Sequence, residues 1–499
     1  MSAPYDVLLR GAEVYDGLGS PPVQADIAFA GDRIAALGSL DAARATLDID
    51  ATGLSVAPGF IDAHTHDDLA ALNQPDMGFK LLGGVTTCVV GNCGFGAAPF
   101  KEAMQLFDGL TPGLSVPHYD GHAGYAATVE TVRPGVNIAA LAGHGTLRLA
   151  AMGTADRQPE ERELQHMKDA LGEALDAGVF GLSSGLIYVP GRYSQTSELI
   201  ELASDMRDSG ALYATHMRDE GDGLLASVAE AIDIGEQAQV PVQISHHKAS
   251  GRANWGRVTE SLKLIELAQA RGLDVHCDQY PYTAGSTILV AIIENGAFTG
   301  SAQGGIGTVG ADDVVIAGAP GHPQWEGRTV AALAAEFGIP ARAAALRVVE
   351  HAPGTTAIIH MMSEDDVQQV LRHPSTMIGS DGIPTVGGRP HLRLYNSFAR
   401  VLGHYSRDLG VLSMADAIYR MTGFTANKFG LNGRGRIEIG AFADAVVFDA
   451  ETLIDQGTFE NPNRYPAGIV DVFVNGVASV RAGVSQTARA GRMLRRPGT

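Results

Sequence analysis

Residues 59–66 read GFIDAHTH, a short apolar run that ends in two histidines one residue apart. Seven later stretches share this layout: GVTTCVVGNCG (84–94), NIAALAGHG (137–145), VFGLSSGL (179–186), ALYATHMRDE (211–220), VPVQISHHK (240–248), LDVHCDQYPY (273–282) and TMIGSDG (376–382). Each reads as a strand with its polar chemistry gathered at the C-terminal end. Most are separated by helix-like stretches such as ERELQHMKDALGEALDAG (161–178) and SELIELASDMRDSG (197–210). Eight strands alternating with helices predict an α/β chain folded as a (β/α)8 barrel.

Outside this centre the texture changes. YDVLLRGAEVYDG (5–17), ADIAFAGDRIAALG (25–38) and TLDIDATGLSVAPG (46–59) alternate apolar and polar residues and break at Gly-Asp or Asp-Gly turns. ADAVVFDAETL (443–453) and IVDVFVNGVASVRAG (469–483) look the same. The reading is a small composite β-sandwich built from both chain ends, residues 1–57 and 434–499, around a barrel at 58–433. The stretch between Tyr282 and about Glu350 is too long for a simple connection and holds the Gly-rich SAQGGIGTVGADD. It predicts an inserted subdomain over 286–350.

The chain has 499 residues, 45% of them hydrophobic, with mean hydropathy +0.04, ample for a large core and incompatible with general disorder. Its net charge of −20 argues against nucleic-acid or anionic-membrane binding, which need clustered positive surface. A few local cations can still serve an anionic small molecule. The three cysteines, Cys88, Cys93 and Cys277, make no disulfide framework and suggest a reducing compartment. No basic-then-apolar leader and no apolar run of about 18 residues is visible, so the expected location is cytoplasmic.

Six strand-end positions carry the candidate chemistry. His64 and His66 are two apart, which on a strand points both imidazoles to one face and toward one metal. Cys93 ends GVTTCVVGNCG; a thiolate beside imidazoles suits zinc or another borderline metal. Cys88, inside an apolar run, and Cys277, mid-strand, read as packing residues. His216 and His246 stand at the mouths of two strands, followed by MRDEG and HKASG. His247 must point away from His246 and reads as a supporting residue. Asp381, on the last strand, can hold a metal and accept a proton from bound water, or cap a following helix. His144, at the third strand's end, is a further pocket candidate.

PGFIDAHTH, THMRDEG, ISHHK and IGSDG, in that order, resemble the amidohydrolase superfamily. GNCG with Cys93, SSGLIYVPG (183–191), THMRDEG (215–221) and SHHKASG (245–251) are similar to the D-aminoacylases, the N-acyl-D-amino-acid deacylases. The stretch 421–449 resembles that family's return from barrel to β domain. The resemblance implies a metal held tightly by Cys93, His216 and His246, with zinc the expected ion. A second, weaker position would be formed by His64, His66 and Asp381. It also implies that Tyr188, Lys248, Tyr280, Ser286 and Arg393 bind substrate. Where the family usually reads His-Pro-Arg, this chain reads His391-Leu392-Arg393.

The expected function is metal-dependent hydrolysis of the amide bond of N-acyl-D-amino acids, with Asp381 carrying the proton and Lys248 and Arg393 clamping the carboxylate. The D configuration follows from the resemblance, not from the residues. Two alternatives stay open: an amidohydrolase acting on cyclic amides (hydantoinase- or dihydroorotase-like) or N-acyl dipeptide-like compounds, and a metal-free barrel that only binds. The expected partner is a small-molecule substrate.

Overall fold

The computed structural model describes residues 5–299, 305–385 and 387–498. Eight parallel strands run Phe60–Asp62, Val85–Val90, Asn137–Ala140 with Ala142–Gly143, Gly181–Gly185, Leu212–His216, Val242–Ile244, Val275–Gln279 and Thr376–Ile378. Each pairs with the next in parallel. The circle closes between the last strand and the first. Ala63 N–H donates to Ile378 O at 3.3 Å, Asp381 N–H to His64 O at 2.7 Å, and Thr65 bridges Gly382. All eight predicted strands are therefore staves of one barrel.

The strands are apolar because both faces are covered, as a parallel sheet wrapped by helices requires. Val85–Val90 is buried throughout. The helices show the complementary pattern. Glu161–Asp176 buries Met167, Leu171, Ala174 and Leu175, a stripe at helical spacing, and starts with a capping box between Glu160 and Glu163. The helix Thr196–Ser204 is shorter than the run 197–210, which ends in turns.

The closing seam is held by a buried cation. Lys80 Nζ lies 2.7 Å from Asp62 Oδ2, 2.9 Å from Thr65 Oγ1, 3.0 Å from Ser380 Oγ and 3.2 Å from Asp67 Oδ2. Asp62 Oδ1 in turn accepts from Ser380 N–H at 2.7 Å. First and last strands are thus tied by charge as well as by backbone.

Strands from both ends of the chain share one nine-stranded sheet. It forks at Tyr5–Val14, which pairs with Ala45–Asp50 along one part of its length and Ser55–Pro58 along another. The sheet folds over a core of Val7, Leu9, Ile27, Phe29, Val447 and Phe473, so the sandwich interior comes from one curled sheet. The chain leaves this sheet after Ser485 and returns to the barrel, where Leu494 N–H donates to Ile138 O at 2.7 Å. The tail adds no further strand: Gln486 N–H still donates to Ser479 O at 2.8 Å, and from about Leu494 the stretch 434–499, expected wholly in the β domain, lies against the barrel.

The insertion is wider than 286–350. Its antiparallel sheet comprises Ala284–Ile288, Val314–Gly318 and, as the central strand, Thr356–His360. The run TAIIH lies beyond the expected boundary because it is only five residues long and follows a helix, Ala341–His351, without a composition change. Part of the Gly-rich stretch, 301–304, lies outside the described residues. No helix among the described residues is long and apolar enough to cross a membrane.

Candidate active site

The C-terminal mouth of the barrel brings the six candidate positions together, all buried. Cys93 Sγ lies 3.3 Å from His64 Nε2 and 3.5 Å from His246 Nε2. Asp381 Oδ1 lies 3.2 Å from His66 Nε2 and 3.5 Å from His64 Nε2. His216 stacks edge-on against His246 with ring centroids 4.4 Å apart, and neither of its ring nitrogens has a hydrogen-bond partner among the described residues. Three triples have donor atoms within 4.8 Å of one another: His64–Cys93–His246, His64–His66–Asp381 and His216–Glu220–His246. His64 and His246 each belong to two of them, so the donors form one continuous cluster.

Electrostatics sharpens the cluster. Burial pushes the Cys93 thiol up, but the facing His64 and His246 imidazoles outweigh it and hold the group well below its ordinary value, favouring thiolate. Burial likewise raises Asp381, and the Arg393 guanidinium overrides it, followed by His246 and His66, leaving the carboxyl well below the usual range. Cys93, His246 and Asp381 also share a backbone signature: φ is 54°, 36° and 50°, in the left-handed region that residues with a Cβ avoid. A side chain on Gly185 would strike the Cys93 carbonyl oxygen, so the glycine at that strand end lets the Cys93 turn come close.

The buried donor set of thiolate, imidazoles and a carboxylate, with the unpartnered ring nitrogens of His216 beside it, fits a zinc ion. Tyr188, Lys248, Tyr280, Ser286 and Arg393 line one cavity with His216, His246 and Asp381. Tyr188 OH meets Thr287 Oγ1 at 2.9 Å. Arg393, at the start of the helix Arg393–Arg400, is buried. Its Nη1 lies 2.8 Å from Asp381 Oδ2, its Nη2 donates to Ser286 O at 2.9 Å, and its guanidinium sits 4.6 Å above the Tyr280 ring. With leucine in place of the usual proline, His391 Nδ1 still accepts from Arg393 N–H at 3.0 Å.

Residues 48–480 match the amidohydrolase family. The chain belongs to that family. This amidohydrolase is 43% identical to the D-aminoacylase of Alcaligenes xylosoxydans xylosoxydans over 99% of this chain and 98% of that one. A solved D-aminoacylase structure superposes with a TM-score of 0.89 at 42% identity, covering 99% of this chain and 100% of that one. The N-acyl-D-glutamate deacylase of Bordetella bronchiseptica, solved with zinc and a phosphonate mimic of the tetrahedral intermediate, superposes with a TM-score of 0.88 at 38% identity, covering 98% and 99%.

Other candidates lie elsewhere in this amidohydrolase. His144 does not reach the cavity: its Nε2 meets Glu198 Oε1 at 2.8 Å beside Arg148. His247 turns away from His246, its Nε2 meeting Ser261 Oγ at 2.8 Å. Cys88 and Cys277 are buried free cysteines, and neither lines the cavity. Two acids escaped the sequence reading. Asp278 places Oδ1 3.3 Å from His64 Nδ1 and accepts the His246 N–H at 2.8 Å. Glu220 contacts His246 and Lys248. Asp278 lies near the C-terminal end of its strand, as the other candidates lie near theirs, and that position was the available signal. The apolar wall of Ile187, Ile306, Ile359 and Met361 comes largely from loops and the insertion and had no such signal.

Proposed function

We propose that this amidohydrolase cleaves the amide bond of N-acyl-D-amino acids with apolar side chains, releasing a D-amino acid and a carboxylate. One observation carries the reading: His216, His246 and Asp381 of the metal-donor cluster line one cavity with Arg393, the partner of Asp381, and with Lys248. Cys93, His216 and His246 would hold the tight zinc, with His64, His66 and Asp381 bordering a second, weaker position. When bound, the ion supplies Lewis-acid activation of water and of the amide carbonyl.

The chain's own groups do the rest. Arg393, whose planar fork matches a carboxylate, and Lys248 bind the free α-carboxylate. Asp381 takes a proton from the attacking water as the C–O bond forms, and returns it to the nitrogen as the C–N bond breaks. Tyr188, Tyr280 and the insertion, through Ser286, close the cavity from water. Family similarity supports the D configuration. Ile187, Ile306, Ile359 and Met361 support an apolar side chain. Among the described residues, Lys248 and Arg393 are the Lys and Arg side chains on the cavity wall, and binding the α-carboxylate occupies both, which leaves neither for a second substrate carboxylate.

The experiment is a rate comparison on zinc-loaded protein with the N-acetyl derivatives of D- and L-leucine, D-methionine, D-glutamate and D-aspartate. The D-leucine and D-methionine compounds should lead. The acidic ones should fall at least about 5–150-fold behind, since burying even a neutral polar group unpaired costs ~1–3 kcal/mol and an ionised carboxylate costs more. Equal turnover of D- and L-leucine, or a preference for D-glutamate, overturns the reading.

A further inference from the structure

Glu220 closes the run ALYATHMRDE and is almost fully buried on the cavity wall, yet no role above uses it. Its Oε1 lies 3.0 Å from His246 Nδ1 and 2.5 Å from Lys248 Nζ, and its Oε2 faces His216 Nε2 at 3.9 Å. The backbone fixes it from two sides. Its N–H donates to Gly305 O at 2.8 Å, and its carbonyl accepts from Ser250 N–H at 2.7 Å. The carboxylate is therefore a built part of the wall.

The chemistry of His246 requires such a group. Its Nε2 faces Cys93 Sγ, so the lone pair that would meet a cation there must sit on Nε2. A neutral imidazole then carries its proton on Nδ1 and needs an acceptor. Lys248 Nζ stands 2.9 Å from the same Nδ1, but an ammonium only donates. Left alone with Lys248, the ring would take the other tautomer, with Nδ1 accepting from the ammonium and an N–H pointing at the metal position. Glu220 Oε1 is the acceptor that both groups can share.

We propose that Glu220 is a positioning residue. It accepts from His246 Nδ1–H and from Lys248 Nζ together, which directs the imidazole lone pair toward Cys93 and holds the ammonium ready for the substrate's carboxylate. The inference rests on the functional reading above, in which His246 is a metal ligand and Lys248 a substrate clamp.

The test is zinc affinity, measured by competition with a chromophoric chelator, on purified full-length wild type and variants. Glu220→Gln keeps the size but removes the charge, and should weaken zinc about 10–100-fold, the usual effect of removing a carboxylate behind a ligating histidine. Adding Lys248→Met removes the ammonium that drives the wrong tautomer, so the double variant should regain at least about threefold of that loss. Simple loosening of the fold would give no such rescue. Zinc affinity of Glu220→Gln within twofold of wild type, or an unrescued loss, overturns the proposal. Should Glu220→Gln alone not fold, the double variant is compared with Lys248→Met: weaker binding by about threefold or more supports the proposal, and equal binding overturns it. Wild type that binds no zinc, or His246→Ala that binds it as wild type does, instead overturns the functional reading and this inference with it.

Discussion

Arg393→Ala separates two duties that the structure assigns to one guanidinium. The side chain is 1% exposed and makes an ion pair with Asp381, a hydrogen bond to Ser286 O and a stack on Tyr280. Removing it deletes a charge-assisted contact to the substrate carboxylate, ~1.5–3 kcal/mol, or about 10–150-fold in kcat/KM. It also leaves Asp381 without the cation that neutralises it, and that penalty falls on every substrate, including one without a carboxylate. The informative quantity is therefore a ratio. Steady-state kinetics on an N-acetyl-D-amino acid and on its carboxamide should show the acid preferred by wild type. In the variant the amide slows too, but the acid-to-amide ratio of kcat/KM collapses by about 10–150-fold. Arg393→Lys, which keeps the charge but loses the fork, should fall between the two. An unchanged ratio in Arg393→Ala would mean that Arg393 serves Asp381 alone and that the carboxylate is held elsewhere, refuting the clamp.

Three further outcomes are expected. Cys93→Ala should lose zinc and turnover together, since alanine offers no donor; elemental analysis beside an activity assay checks this, and retention of both would make the thiol a packing group. Asp381→Asn should lower kcat by about 10²–10⁴-fold while the tightly held zinc stays, because the amide cannot take the proton; activity within a few-fold of wild type would place the proton carrier elsewhere. Lys80→Met should cost ~3–5 kcal/mol of stability by leaving Asp62 buried without its cation, read as a lower urea midpoint, and Lys80→Met with Asp62→Asn should recover part of it.

Much of the fold was legible because a parallel barrel writes itself repetitively. Each stave is an apolar run, and five of them place a candidate residue at the C-terminal end, so His64, Cys93, His216, His246 and Asp381 could be found one strand at a time. What sequence could not give is pairing across the mouth. Asp278 and Cys277 sit side by side on one strand; only the three-dimensional neighbour, His64 for Asp278 and Thr376 for Cys277, separates a working acid from a packing thiol. His144 misled for the same reason: it also ends a strand, but its ring goes to Glu198. The width of the insertion was hidden because its central strand, Thr356–His360, is far in sequence from both partners.

The strained backbone at Cys93, His246 and Asp381 explains why the neighbouring groups matter as much as the donors themselves. A residue with a Cβ at positive φ costs ~1–3 kcal/mol and persists only where its surroundings over-determine it. Each of these three is clamped from another strand or its loop. Asp381 N–H is held by the carbonyl of His64, His246 N–H by the Asp278 carboxylate, and the turn at Cys93 by Gly94 N–H donating to Ser183 Oγ at 3.0 Å. The clamps come from the first, seventh and fourth staves, so donor geometry depends on the closed barrel as a whole. The Lys80–Asp62–Ser380 tie at the seam then has a functional meaning. It joins the strand that carries His64 and His66 to the strand that carries Asp381, the one junction where consecutive staves are not consecutive in sequence. Loosening that seam should disturb the His64–His66–Asp381 half of the cluster before the Cys93–His246 half, because only the former spans it.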